Sequence, residues 1–191
     1  MTARIVDFSR DPKWREIFFG EPTVKQLEEF RSYIVGEARD VYSETLCRLY
    51  HATSADYPIE REGLLPTSTK RRHSLQSQSG YVYLAAYPTH AKQFAEMWCA
   101  GKPIALYAVD LPFRMLSADS DQLRNKRMWG GIPCGTTLWE SFFIGSGARH
   151  KGAIQPHAIK RCSLEAPHSL LLPRDEMLEA EELLSVGMAP A

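Results

Sequence analysis

Apolar residues recur at two different spacings along the chain, and the change of spacing divides it near residue 45. In the first part, the recurrence is close to the helical period and involves Val24, Leu27, Phe30, Ile34, Ala38 and Val41. Thr23 precedes this stripe as an N-cap, and Asp11-Pro12 forms a cap and first-turn pair for an earlier helix. We therefore predict a helical segment over residues 1–45. It acts either as a cover for the following sheet or as a partner-binding or lid element.

After residue 45, short apolar runs are separated by turn residues. The runs predict strands at residues 46–53, 81–86, 104–111, 138–144 and 159–164. One helix separates them convincingly, at residues 90–100, with Thr89 as its cap and Gly101 at its end. Several strands with few crossover helices favour an α+β fold with a mainly antiparallel, split sheet.

The same pattern predicts the organisation of the chain. An N-terminal helical extension occupies residues 1–45, a sheet-bearing domain residues 46–165, and a helical tail residues 166–191. Two long polar connections interrupt the middle part. Residues 67–80 include the basic run Lys70-Arg71-Arg72-His73, and residues 117–137 pass from acidic to basic. Connections of this length are usually functional or disordered, so the first is expected to be a mobile loop that closes over an anion.

Composition narrows the partners and the compartment. Among 191 residues, 23 basic side chains balance 23 acidic ones, so net charge gives no argument for a nucleic-acid or membrane partner. The four cysteines occur singly, without zinc-site spacing, which predicts reduced thiols and no metal. No apolar run reaches the roughly 20 residues of a membrane helix. We expect a cytoplasmic protein, or one delivered to a target cytosol.

Five short motifs occur in a suggestive order. They are Leu49-Tyr50-His51-Ala52-Thr53, Ile59-Glu60-Arg61-Glu62-Gly63-Leu64-Leu65-Pro66, Val82-Tyr83-Leu84-Ala85, Trp139-Glu140-Ser141-Phe142-Phe143 and Ile154-Gln155-Pro156-His157-Ala158-Ile159. Together they resemble the ADP-ribosyltransferase superfamily. More specifically, the chain is similar to the histidine-tyrosine-glutamate branch, which includes diphtheria-toxin-like enzymes and poly-ADP-ribose polymerases. The resemblance spans about residues 46–164.

The resemblance implies NAD as substrate and His51, Tyr83 and Glu140 as the catalytic set. Cleavage of the bond between nicotinamide and ribose builds positive charge on the ribose, which the Glu140 carboxylate, on a late strand, would stabilise. His51 would orient the adenosine-side ribose as a donor, and the Ala52 and Thr53 segment would hold the nicotinamide amide. Tyr83 and Phe94 would stack on the nicotinamide ring.

The same resemblance places a donor loop between the histidine and tyrosine strands, where Arg71 or Arg72 would meet the pyrophosphate. Each residue also has a plainer interpretation: an ordinary strand tyrosine at Tyr83, a core position at Phe94, a solvated basic loop. The chain departs from the family by carrying Ala52 where glycine is common. Leu138 stands where the arginine-modifying branch has Glu or Gln, which disfavours modification of arginine.

These observations predict a mono-ADP-ribosyltransferase that transfers ADP-ribose from NAD to a macromolecular acceptor, in the first instance a protein. The connection at residues 117–137 would present that acceptor. A toxin or effector role fits such an activity. The alternatives are an NAD glycohydrolase, with water as acceptor, and a non-catalytic module that binds NAD or a partner. A nucleic-acid contact through residues 124–129 receives little support from the balanced charge.

Overall fold

A computed structural model of the chain describes residues 3–66, 77–99, 101–132 and 134–163. Its centre is a seven-stranded sheet in which β1 pairs with β2 and the other strands follow the order β5-β6-β3-β2-β4-β7. All neighbouring strands are antiparallel except β1 and β2. The predicted α+β class with a mainly antiparallel sheet and N-terminal helices is confirmed. The strands are β1 (Ile5–Asp7), β2 (Leu46–Ser54), β3 (Tyr81–Ala85), β4 (Ile104–Pro112), β5 (Leu116–Ser117), β6 (Gly147–Lys151) and β7 (Ile159–Cys162).

Helices flank the sheet on both faces. They are α1 (Arg15–Phe19), α2 (Val24–Arg39), α3 (Ile59–Glu62), α4 (Pro88–Cys99), α5 (Ser120–Trp129) and α6 (Leu138–Gly145). The N-cap prediction for Thr23 is confirmed, because its hydroxyl accepts the Gln26 N–H at 3.3 Å while the Gln26 side chain accepts the Thr23 N–H at 2.8 Å. Among the described residues, no helix is both long and apolar enough to cross a membrane.

The main core joins the N-terminal segment to the sheet. The Phe8 ring lies 5.1 Å from that of Phe142 and 5.7 Å from that of Phe30, and all three side chains are buried. A smaller cluster on the opposite face includes Tyr50 of β2 and Ala91 of α4. The N-terminal helices therefore cover one face of the sheet and α4 covers the other.

Residues 138–144 form helix α6, so the prediction of a strand there was wrong. Thr137 and Glu140 form a capping box, in which the Thr137 side chain accepts the main-chain N–H of Glu140 and the Glu140 side chain accepts the main-chain N–H of Thr137. The apolar residues also fit a helix, because Leu138 and Phe142 are four positions apart and share a face. The run was misread because it is apolar almost throughout.

The N-terminal 45 residues are also not entirely helical. Residues Ile5–Asp7 form β1, which pairs in parallel with the first half of β2. The connection at residues 117–137 is not a simple loop, because it contains α5, capped by the Asp119 side chain. Helix α4 begins at Pro88, one residue before the predicted cap Thr89. Arg71, Arg72 and the predicted tail at 166–191 lie outside the described residues.

The sheet is split between β2 and β3. Strand β2 is in register with β4 at every position from Leu46 to Ser54. By contrast, the register between β2 and β3 relates only Tyr50 to Ala85. Beyond that point the end of β2 and the beginning of β3 no longer pair in the described structure, and we call the opening between residues 51–54 and 81–84 the strand gap.

Candidate functional site

His51 reaches across the strand gap. Its Nδ1 lies 3.0 Å from the main-chain oxygen of Tyr83, and the side chain is half-buried. A carbonyl oxygen only accepts, so Nδ1 carries the proton in this contact. In the neutral imidazole, Nε2 is then an acceptor. The structure thus places His51 against Tyr83, two of the residues predicted from the sequence, through the main chain of Tyr83 and not through its side chain.

The Tyr83 hydroxyl is held on two sides. It donates to the Asp121 carboxylate, with an O–O distance of 2.5 Å, and accepts the main-chain N–H of Gln78 at 2.7 Å. Burial, followed by the hydrogen bond to Asp121, raises the pKa of Tyr83, so the phenol stays protonated at neutral pH. Because the hydroxyl is engaged, a ligand would meet Tyr83 through its ring.

Arg149 stands opposite Tyr83 on the neighbouring strand β6. Its guanidinium carbon lies 4.1 Å from the centre of the Tyr81 ring, and Nη1 donates to the Gln78 side-chain oxygen at 2.7 Å. The Nε atom is buried and has no hydrogen-bond partner among the residues that the structure describes. Gln78 therefore connects the Tyr83–Asp121 pair to the Tyr81–Arg149 pair.

Helix α5 is anchored in a way that fixes Asp121. The Asp119 carboxylate accepts the N–H groups of Asp121 and Gln122 at 3.2 and 3.0 Å, and burial raises its pKa. The Asp119 N–H donates to Ser141 Oγ at 2.8 Å, and that hydroxyl donates to the Gly147 oxygen at 2.7 Å. The buried Ser141 thus links the start of α5, which carries Asp121, to the start of β6, the strand that pairs with the Tyr83 strand.

Glu140 has a different environment. Its carboxylate accepts the Gly135 N–H at 2.8 Å, the Thr137 N–H at 3.1 Å and the Thr137 hydroxyl. Partial burial disfavours its charged form, but these hydrogen bonds and nearby Arg31 outweigh it and lower the pKa. Within the described part of the chain, the hydrogen bonds of Glu140 serve the start of α6 and do not reach His51 or Tyr83.

The other predicted binding residues lie on two different elements, β2 and α4. Ala52 and Thr53 lie opposite Leu106 and Ala105 on the β4 side, and their other edge borders the strand gap. Phe94 lies on α4 with 36% of its surface exposed, so it is not a core residue.

Sequence reasoning did not select Gln78, Asp121 or Arg149 as site residues. One weak signal was present, because Asp119 precedes Gln122 by three positions, a pattern that can start a helix. Arg149 lies in the polar run Arg149-His150-Lys151, which shows no alternation of apolar and polar residues. In the described ranges, no group of three or more His, Cys, Asp or Glu residues could hold a metal ion.

Comparison of the chain with protein-family models, with curated proteins and with solved structures finds no match in any of the three.

Proposed function

We propose that the protein cleaves NAD at the bond between nicotinamide and ribose and transfers ADP-ribose to a macromolecular acceptor, in the first instance a protein. The observation that supports the proposal is the contact between His51 Nδ1 and the Tyr83 oxygen across the strand gap. Both residues belong to the motifs that resemble the ADP-ribosyltransferases. They meet where a mainly antiparallel sheet opens.

The contacts refine the roles of these residues. The contact with the Tyr83 oxygen fixes the His51 ring beside the strand gap, where it would orient a ribose of the substrate. The Tyr83 ring would stack on the nicotinamide, because its hydroxyl is held by Asp121 and Gln78. The β2 main chain at Ala52 and Thr53 borders the same opening and would bind the amide group of the substrate.

In the reaction, the bond from ribose C1′ to the nicotinamide nitrogen breaks, and its electron pair leaves with nicotinamide. A nucleophile of the acceptor forms the new bond to C1′ and loses its proton. Positive charge develops on the ribose, so a carboxylate nearby accelerates the step. Glu140 is the candidate from the sequence, and Asp121 is the carboxylate that contacts Tyr83.

A second candidate is a non-catalytic module that binds NAD. The arrangement of Glu140 favours it, because this carboxylate is used by Gly135 and Thr137. Moreover, strand β6, which lies beside the tyrosine strand, reads Gly-Ala-Arg-His-Lys and carries no carboxylate. Tight binding of NAD without turnover would select this candidate.

The test is to incubate the protein with NAD labelled in the adenosine part and to measure both released nicotinamide and the fate of the label. We expect nicotinamide release and label on a protein fraction, and label recovered only as free ADP-ribose would identify a glycohydrolase. The proposal is wrong if wild-type protein releases no nicotinamide above a heat-denatured control.

Two substitutions identify the carboxylate, and one serves as a matched control. Glu140→Gln and Asp121→Asn each remove a charge with little change of shape. Thr137→Ala damages the α6 cap but leaves the Glu140 carboxylate in place. If Glu140→Gln abolishes release and Thr137→Ala does not, the charge of Glu140 is needed for chemistry; equal losses would mean that the cap alone matters.

A further inference from the structure

We infer that an acidic segment of this chain, residues 175–186, docks on a basic face of helix α5, which we call the α5 face and define by Arg124, Arg127 and Met128. The inference goes beyond the proposed function, because it concerns a contact of the chain with itself and requires no NAD. Residues 175–186 lie outside the described residues, so the inference draws on their sequence and on the described surface of α5.

Charge is distributed unevenly along the chain. After residue 163, Arg174 is the only Lys or Arg in the sequence, whereas the acidic residues are Glu165, Asp175, Glu176, Glu179, Glu181 and Glu182. Because the whole chain balances 23 basic against 23 acidic residues, the five negative charges in excess here leave five positive charges in excess on residues 1–163. Two parts of one chain with opposite net charge attract each other.

Helix α5 presents two of the positive charges side by side. Arg124 and Arg127 are three positions apart and Met128 is four positions from Arg124, so all three share one side of the helix. All three are exposed, with 65% of the Met128 surface accessible. Leu123 and Lys126 form the buried side of the same helix. The α5 face is therefore an outward surface that combines two cations with one apolar side chain.

The charges of the α5 face are weakly paired in the described structure. Arg124 Nη2 lies 3.9 Å from Asp121 Oδ1, at the long limit for an ion pair, and its side chain is 47% exposed. Arg127 forms no ion pair within the described ranges. By contrast, the exposed Lys13 Nζ lies 3.0 Å from Glu29 Oε1. Carboxylates from another segment would therefore find two available guanidinium groups on α5.

The α5 face is also ordered before any segment binds. The Asp119 side chain caps the first turn of α5, and the Gly130 N–H donates to the Lys126 oxygen at 3.1 Å where the helix ends. A surface that is already ordered lowers the entropic cost of binding. Arg and Met are enriched at the surfaces through which proteins bind other polypeptides. These features favour a polypeptide segment as the occupant.

The spacing of carboxylates in the acidic segment suits this surface. Asp175, Glu179 and Glu182 recur at intervals of four and three residues, which is the helical period, and Leu178 precedes Glu179 directly. In the helix that the sequence predicts for the tail, these residues share one side. That side can pair two carboxylates with the two arginines of the α5 face while its leucine contacts the methionine.

The chain between β7 and the acidic segment is long enough for the contact. Strand β7 ends at Cys162, and the residues from 163 to 175 can span roughly 40 Å when extended. Asp121 of α5 bonds Tyr83 of β3, and β3 is separated from β7 by β2 and β4, which corresponds to about 15 Å across the sheet. A short tether of this kind keeps the effective concentration of the segment near α5 high.

The experiment measures the protection of residues 175–186 against hydrogen exchange in the whole chain by mass spectrometry. Arg124→Glu combined with Arg127→Glu reverses the charge of the α5 face. We expect protection to fall about 3- to 10-fold, as for the loss of two partly exposed ion pairs. Lys25→Glu combined with Arg39→Glu is the matched control, because both residues are exposed on α2 and the change of net charge is the same. This control should leave protection unchanged, and wild-type protein without protection over the segment would overturn the inference.

Charge reversal on the segment tests whether the two surfaces meet. Glu179→Arg combined with Glu182→Arg should also reduce protection, and joining these changes to Arg124→Glu and Arg127→Glu should restore it to within about twofold of wild type. A fourfold variant that is no better protected than either double variant would contradict the contact. Should the α5 variant not fold, Glu179→Gln combined with Glu182→Gln tests the same contact with α5 intact; unchanged protection in that variant would likewise overturn it.

Two other occupants of the α5 face would give different results. Protection that increases with protein concentration would mean that the segment binds a second copy of the chain. Unchanged protection in the Arg124→Glu and Arg127→Glu variant, together with less label on an acceptor protein, would assign the α5 face to the acceptor. Either result overturns the inference. None of the exchange measurements depends on nicotinamide release, so the inference and the proposed function can fail separately.

Discussion

The imidazole of His51 bonds the main-chain oxygen of Tyr83 at 3.0 Å and so joins two strands whose register relates only one residue pair. A side chain here does what a ladder hydrogen bond would do in a continuous sheet. Since the contact uses Nδ1, the tautomer of His51 is set by the fold before any ligand arrives. Histidine at this position therefore has a structural role in the sheet, to which the proposed function would add a binding role.

Phe94 provides a test of the stacking role taken from the sequence. Its ring is 36% exposed on α4, so Phe94→Ala should cost less than about 1 kcal/mol of unfolding free energy. If the ring stacks on nicotinamide, the same change should weaken NAD binding about 3- to 10-fold. Met97→Ala, on the same helix and 61% exposed, should change neither quantity. Equal NAD affinities for the two variants would exclude Phe94 from the site.

Glu140→Gln should destabilise the protein at neutral pH by about 1 kcal/mol, through the weakened capping box. The pKa of Glu140 is lower in the folded protein than its usual 4.5, so its ionised form contributes stability above that value. This contribution is lost as the pH falls through the lowered folded pKa. The stability difference between wild type and Glu140→Gln should therefore shrink in acid.

Urea unfolding at pH 7 and near pH 3 measures that difference. Glu96→Gln is a suitable control, because Glu96 is exposed on α4 and its ion pair with Lys92 is long, at 3.8 Å. If the difference in unfolding free energy between wild type and Glu140→Gln is the same at both pH values, the charge of Glu140 does not stabilise α6.

Gly63 is predicted to be irreplaceable. Its φ and ψ of 79° and −172° lie in a region that is essentially restricted to glycine, and an added Cβ would come within 2.2 Å of the Ile154 oxygen. Gly63→Ala should therefore cost about 3 kcal/mol or more, measured by thermal or urea unfolding. Gly101→Ala, with the same φ of 79° but nothing within 4 Å of its Cβ, should cost about 1 kcal/mol. Similar losses would show that close approach to Ile154 is unimportant.

Arg48 and Asp110 lie opposite each other on β2 and β4 and form two hydrogen bonds of 2.7 Å. Their side chains are 27% and 24% exposed, so a double-mutant cycle with alanine should give a coupling of about 1 kcal/mol or more. The Lys13–Glu29 pair, with side chains 51% and 55% exposed, should give less than about 0.5 kcal/mol. The Arg48–Asp110 coupling should also be less sensitive to salt than the Lys13–Glu29 coupling. A larger coupling energy for Lys13–Glu29 than for Arg48–Asp110 would contradict this prediction.

The sequence was most informative where local pattern and final structure agree. Strand β2 and helix α2 were predicted because a short apolar run followed by turn residues and a capped apolar stripe are local signals. Helix α6 was missed because Leu138 to Ile144 is apolar on nearly every side, and the deciding signal, Thr137 with Glu140, was not used. Strand β6 has little apolar content and forms because β3 offers it an edge.

In the candidate site, too, the residues on local motifs were predicted and those placed by tertiary packing were not. His51 and Tyr83 follow from short motifs on strands, and their strands lie side by side in the sheet. Asp121 bonds the Tyr83 hydroxyl from α5, whose start is tied to β6 through Ser141 of another helix. Such a relationship depends on tertiary packing of residues far apart in the sequence. No spacing rule along one chain predicts it.

Strand β1 has a consequence for handling the protein. It pairs with β2 at Leu46, Cys47 and Arg48, and Tyr50 further along β2 donates to the Asp7 carboxylate at 2.6 Å. A truncation that removes residues 1–9 would uncover this edge of β2, and a bare strand edge invites pairing with another molecule. Shortened forms of the protein should therefore self-associate, and a change near the N-terminus could reduce activity by aggregation without touching the strand gap.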